Sequence, residues 1–130
     1  MVENHQFFRE NLIAWISTQP KLDCCAEAAN VLEAQKAVQE YEPHLIVLDL
    51  TLNGASGLDF LRWLGDRTAD ILVIVLSQYE ESLYADKALE GGARAYVSKA
   101  AATEELEPAL TAVLAGLCYV SGRGAFERRK

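Results

Sequence analysis

Three short, uninterrupted apolar runs constrain this chain more than any other feature: Leu45-Ile46-Val47-Leu48, Ile71-Leu72-Val73-Ile74-Val75-Leu76 and Ala95-Tyr96-Val97. A strand with one wet face alternates apolar and polar residues, so an unbroken run predicts a strand covered on both faces. The segments between the runs can supply the covers. Gln6 to Thr18 carries Phe8, Leu12, Trp15 and Ile16 at helical spacing, and Pro20 stops it. Val31 to Tyr41 repeats the pattern with Leu32, Ala34, Ala37 and Val38 and closes at Pro43. Gly57 to Gly65 places Leu58, Leu61 and Leu64 on one side, and Glu80 to Glu90 ends at Gly91-Gly92. A last helix runs from Thr103, its expected N-cap, to about Ala115, with Glu104 and Glu105 in its first turn. Leu22 to Ala28 reads as a further short strand, and Met1-Val2 as the stub of an opening one. Strands alternating with helices predict an α/β fold with a doubly wound parallel sheet.

At 130 residues the chain is one domain, long enough to bury a core without staples. Charge is uneven: residues 1–122 hold eight basic and eighteen acidic side chains, a net of −10, and residues 123–130 a net of +3. Polyphosphate binding relies on Lys and Arg, so the acidic body argues against a nucleic-acid grip by this domain. Cys24, Cys25 and Cys118 make neither a disulfide framework nor a zinc pattern and are expected as small buried apolar residues. Nothing approaches the ~20 apolar residues of a membrane span. The opening residues lack a basic signal-peptide region. A cytoplasmic location with no membrane contact is expected.

In a doubly wound sheet the reactive site lies at the carboxyl ends of the strands. The residues there are Asp49 after Leu48, Ser77 after Leu76, Ser98-Lys99 after Val97, and Glu3-Asn4 after Val2. A carboxylate at the mouth of a dry core is a candidate nucleophile toward phosphorus. Lys99 can supply fixed positive charge, Ser77 a hydrogen bond to a phosphoryl oxygen, and Glu3 with Asp49 an oxygen site for Mg²⁺. Each residue alone has an ordinary reading: a loop-start acid, a helix cap, a solvated lysine. Their joint placement, one per strand end, carries the functional one. His5 and His44 read as helix-start and loop residues, and Trp15 and Trp63 as packing residues.

From Val2 to about Ser121 the chain resembles the receiver domain of two-component response regulators. Leu45-Ile46-Val47-Leu48-Asp49-Leu50 looks like the family's phosphoacceptor strand. Val75-Leu76-Ser77 looks like its hydroxyl-bearing strand, and Gly92 through Lys99 like its aromatic-switch and lysine segment. His5-Gln6-Phe7-Phe8-Arg9 and Ala115 through Ser121 look most like regulators with a LuxR-type helix-turn-helix output. The resemblance implies a flavodoxin-like five-stranded sheet, order 2-1-3-4-5. It makes Asp49 the phosphorylation site, Ser77 and Tyr96 the switch pair, and Lys99 the phosphoryl-binding lysine. Glu3, Asn4, Asp49 and the Thr51 carbonyl would be the Mg²⁺ ligands. Residues 1–121 would be the receiver and 122–130 the start of a linker to an output domain. The implied partners are a sensor histidine kinase and a second copy of the chain, with DNA met only through that output domain. The implied role is a transcriptional switch, not a turnover enzyme.

Three departures bear on this. Glu3-Asn4 replaces a pair of carboxylates, which should weaken Mg²⁺ binding. Asn53 and Ala100 stand where the family usually has Pro; Ala100 removes the easy route to a cis bond, since a non-Pro cis peptide costs roughly 2.5–4 kcal/mol. Met1-Val2 is short for a central strand, so upstream residues are expected. The alternative is a degenerate receiver acting by phosphorylation-independent protein binding, which Asn4 favours and Asp49, Ser77 and Lys99 disfavour. A flavin or nucleotide binder would need more than Gly54-Ala55-Ser56-Gly57, and a dehalogenase-type phosphatase would want an acid where Thr51 stands.

Overall fold

A computed structural model describes residues 1, 6–19, 22–24, 26–49, 51–52, 55–67, 71–77 and 82–127. Helices α1 (Gln6–Ser17) and α2 (Val31–Tyr41) precede strand β1 (Leu45–Asp49). A small antiparallel pair, β2 (Thr51–Leu52) and β3 (Ala55–Ser56), leads into α3 (Gly57–Arg67). Then come β4 (Leu72–Ser77), α4 (Ser82–Glu90), β5 (Ala95–Ser98), a 3-10 turn (Lys99–Ala101) and α5 (Ala102–Leu114). Strands β6 (Cys118–Val120) and β7 (Gly124–Phe126) close the described chain. The main sheet runs β1-β4-β5-β6-β7, parallel except for the final β6–β7 pair.

The pleat sends alternate residues to opposite faces, which explains the unbroken apolar runs. Ile46, Leu48, Val73, Val75, Tyr96 and Val120 join Ala34, Val38, Phe60, Leu61, Leu64, Ala85 and Ala88 of α2, α3 and α4. Val47, Ile74, Leu76, Ala95, Val97 and Tyr119 join Leu12, Leu106, Ala109, Leu110 and Val113 of α1 and α5. Local signals hold the helix ends. The N-cap Asn30 side chain accepts from the Glu33 N–H (2.9 Å), and the Glu33 side chain accepts from the N–H of the preceding residue, Ala29 (2.9 Å), which together close the start of α2. Trp63 stacks on Phe60 with centroids 5.7 Å apart, and the Arg67 guanidinium lies 4.9 Å from its ring.

The 3-4-5 part of the expected strand order is present as the β1-β4-β5 ladders. Of the expected opening strand Met1-Val2, Val2 lies outside the described residues. Of the strand expected over Leu22–Ala28, only Ala28 bridges: its N–H donates to the Met1 carbonyl at 2.8 Å. Thr103 is not the N-cap expected of it. The chain turns at Lys99 as soon as β5 ends, so α5 is already under way at Ala102, with Ala101 at the cap making no side-chain bond.

The sheet also extends past Ser121, where the sequence reading closes the domain. Cys118–Val120 adds in parallel to β5, and Gly124–Phe126 folds back on it. The turn is closed by the Arg123 N–H donating to the Val120 carbonyl (2.9 Å), with Gly122 at φ +85 in the position that demands positive φ. Cys118 is buried as expected, but Cys24 is exposed; both are free thiols, and Cys25 lies outside the described residues.

Candidate functional site

Three strand ends meet at one edge of the parallel sheet. Asp49 ends β1 opposite Leu76, and Ser77 ends β4 opposite Ser98. Lys99 follows directly on β5. Because parallel strands align their carboxyl ends, three residues far apart in the chain are delivered to one place. Asp49, Ser77 and Ser98 are the buried polar residues of the described structure, at 3%, 1% and 3% exposure. Lys99 Nζ lies 3.1 Å from Asp49 Oδ2, with the lysine side chain 15% and the carboxylate side chain 4% exposed. An ion pair this dry is held by its geometry, because removing either charge takes a close opposite charge from a buried group.

Ser77 shares pleat parity with Val75, whose register partner is Tyr96. The serine and the tyrosine therefore belong to the same sheet face on adjacent strands. Tyr96 is 2% exposed and packs in the cluster of Ala85, Ala88 and Val120. Its ring is thus turned inward in this structure. Thr51 lies in β2, two residues beyond Asp49. Glu3 and Asn4, the other expected metal ligands, lie outside the described residues. A cavity of about 530 Å³, lined by Trp15, Val38, Leu45 and Leu110 among others, includes neither Asp49 nor Lys99 in its wall.

The sequence reading missed a polar network directly behind Lys99. The Ser98 N–H donates to Ser121 Oγ (2.9 Å), and that hydroxyl donates to Glu105 Oε2 (2.7 Å). The Tyr119 hydroxyl donates to Glu105 Oε1 (2.9 Å). Burial raises the Tyr119 hydroxyl above the ordinary tyrosine value of 10.0, and the hydrogen bond and charge of Glu105 push the same way. The one sequence signal was a segment, Leu117-Cys118-Tyr119-Val120, that is itself a short apolar run.

A buried carboxylate at one strand end is thus paired with a lysine from the second strand over. The family model described as the response regulator receiver domain matches residues 1–111. The chain belongs to this family. It is 28% identical over 120 residues to the transcriptional regulatory protein DegU of Brevibacillus brevis, covering 92% of this chain and 51% of DegU. It is 31% identical over 125 residues to the DNA-binding transcriptional activator DevR/DosR of Mycobacterium tuberculosis, covering 96% and 58%. The receiver thus spans about half the length of the curated relatives it matches.

Among solved structures, a LuxR-family two-component response regulator from Aurantimonas sp. SI85-9A1 superposes with a TM-score of 0.83. That pair is 34% identical, covering 88% of this chain and 82% of the other. The isolated receiver domain of RcsB from Salmonella enterica gives a TM-score of 0.84 at 16% identity and shares the fold, covering 92% and 88%. The flavodoxin-like architecture of the receiver follows.

Receiver domains generally bind Mg²⁺ at the phosphorylation site. Of the ligands the resemblance implies, Asp49 ends β1 and Thr51 lies in β2, and each can offer oxygen, as that ion prefers. Among the described residues no cluster of three His, Cys, Asp or Glu forms. Among the described residues no helix is long and apolar enough to cross a membrane.

Proposed function

We propose that this receiver is a phosphoacceptor switch in which Asp49 takes a phosphoryl group from the phosphohistidine of a sensor kinase. The Asp49–Lys99 contact at the sheet's carboxyl edge carries the reading. A carboxylate oxygen of Asp49 attacks phosphorus, the P–N bond to the donor imidazole breaks, and that imidazole leaves with the electron pair. The product is a mixed anhydride on Asp49. Lys99, already held at 3.1 Å, then follows the negative charge onto a phosphoryl oxygen. The Ser77 hydroxyl donates to a second one. Glu3, Asn4, Asp49 and the Thr51 carbonyl would hold Mg²⁺, which when bound neutralises charge on the transferring group. Asn4 offers an amide oxygen where a carboxylate would bind more strongly.

The protein so read is a signalling element of the cytoplasm rather than a turnover enzyme. Its transcriptional output runs through an output domain that meets DNA, and a second copy of the chain is the partner expected on activation. Residues 1–121 with the β6–β7 return are the receiver part of that arrangement. Incubation with acetyl phosphate and Mg²⁺, followed by intact mass, should show one phosphoryl adduct that is lost in Asp49→Asn. An adduct surviving that substitution overturns the assignment. A second reading, a degenerate receiver acting by protein binding alone, is favoured by Asn4 and by the inward Tyr96 ring. It is the reading that stands if the wild type takes no phosphoryl group.

A further inference from the structure

We propose that Ser121, held by Glu105, is a positioning residue for Lys99, so that phosphoryl capture at Asp49 depends on the docking of the β6–β7 hairpin. The proposal rests on the phosphoacceptor reading of Asp49. Its starting point is the ladder between β5 and β6. The Tyr119 N–H donates to the Arg94 carbonyl (3.0 Å), and the Ser121 N–H donates to the Tyr96 carbonyl (2.9 Å). In a continuing parallel ladder the next donor, the Ser98 N–H, would bond the carbonyl of residue 121. The chain instead turns at residues 121–123, and the Ser121 hydroxyl takes that bond at 2.9 Å. A side chain therefore completes the last rung of the strand that delivers Lys99.

The hydroxyl has one proton to give. While accepting from Ser98 it donates to Glu105 Oε2 at 2.7 Å, the short distance of a charge-assisted bond. The other Glu105 oxygen accepts from Tyr119. A carboxylate only accepts, so the direction of each bond is fixed. Glu105 sits in the first turn of α5, where the helix dipole favours negative charge. The backbone is thus clamped one residue before Lys99, whose four-methylene arm must bring Nζ to 3.1 Å from Asp49. The clamp reaches Lys99 from the same hairpin whose turn residue Arg123 lies 3.7 Å from Asp86 of α4.

The test follows the Lys99 Nζ resonance in ¹⁵N-lysine-labelled protein and, in parallel, the acetyl phosphate reaction rate by intact mass. Ser121→Ala should shift the Lys99 resonance, leave those of the exposed Lys36 and Lys87 in place, and slow phosphorylation about tenfold or more. That is the scale of a small misplacement of a reacting group. Ser121→Thr keeps the hydroxyl and should retain both the wild-type resonance and the wild-type rate. If Ser121→Ala does not fold, Glu105→Gln, which removes the charge that orients the hydroxyl, should move the same resonance. An unmoved Lys99 resonance in a folded Ser121→Ala or Glu105→Gln variant overturns the proposal, as does equal impairment in Ser121→Thr and Ser121→Ala. A wild type that takes no phosphoryl group refutes the phosphoacceptor reading instead, and the Lys99 resonance still decides the positioning.

Discussion

Replacing Lys99 by Met keeps an unbranched side chain one atom shorter and removes its charge. What remains is the Asp49 carboxylate at 3% exposure, with the lysine charge gone from beside it. At 3.1 Å and an effective dielectric near 20, the direct attraction is about 5 kcal/mol. Both side chains are under one-fifth exposed, so solvent screening removes little of this. Desolvation offsets much of the attraction while the pair is intact, but it is the whole problem once one partner is lost. Lys99→Met should therefore cost about 3–5 kcal/mol of stability at neutral pH. With a urea m-value of about 1.5–2 kcal/mol per M, the unfolding midpoint falls by roughly 1.5–3 M.

The double variant Asp49→Asn, Lys99→Met removes both charges and should recover most of the loss. Equilibrium urea unfolding followed by circular dichroism measures all of this. If Lys99→Met stays within about 1 kcal/mol of wild type, or if the double variant is less stable than Lys99→Met, the buried-pair reasoning is refuted.

Asn4→Asp should tighten Mg²⁺ binding by about one to two orders of magnitude, scaled from the loss seen when groups supporting a metal are removed; a titration giving equal affinities would count against the metal site. Ser77→Ala should still accept phosphoryl on Asp49 but no longer couple it to oligomeric state. Light scattering with and without beryllofluoride should show a shift in the wild type alone. The raised Tyr119 hydroxyl contributes stability that is fully present below the ordinary tyrosine value and is lost as pH rises through its folded value. Tyr119→Phe should accordingly remove part of the fall in stability on the alkaline side, read from urea midpoints above about pH 10.

Much of this receiver is legible residue by residue. Leu45–Leu48, Ile71–Leu76 and Ala95–Val97 announce buried strands because burial on both faces removes the polar alternation that water would otherwise select. Each run also hands over its own terminal residue, so Asp49, Ser77 and Lys99 could be named as site candidates from position alone. Those are local facts, written within a few residues of one another.

What the tertiary structure decided is what depends on separate segments meeting. The 3.1 Å contact joins residues 50 positions apart. The start of α5 moved ahead of Thr103 because the end of β5, not the capping preference of one side chain, sets where the chain turns. Cys118–Val120 and Gly124–Phe126 read as the end of a domain and a basic tail. They become strands because β5 offers an edge and Gly122 lets the chain reverse. Glu105 looked like an ordinary first-turn acid and Ser121 like the close of a motif. Their 2.7 Å contact, beside Ser98, exists only once α5 and β6 lie against the same strand. Hydrophobic period and strand-end chemistry are properties of neighbours in sequence; pairing, capping and the support behind a lysine are properties of neighbours in space.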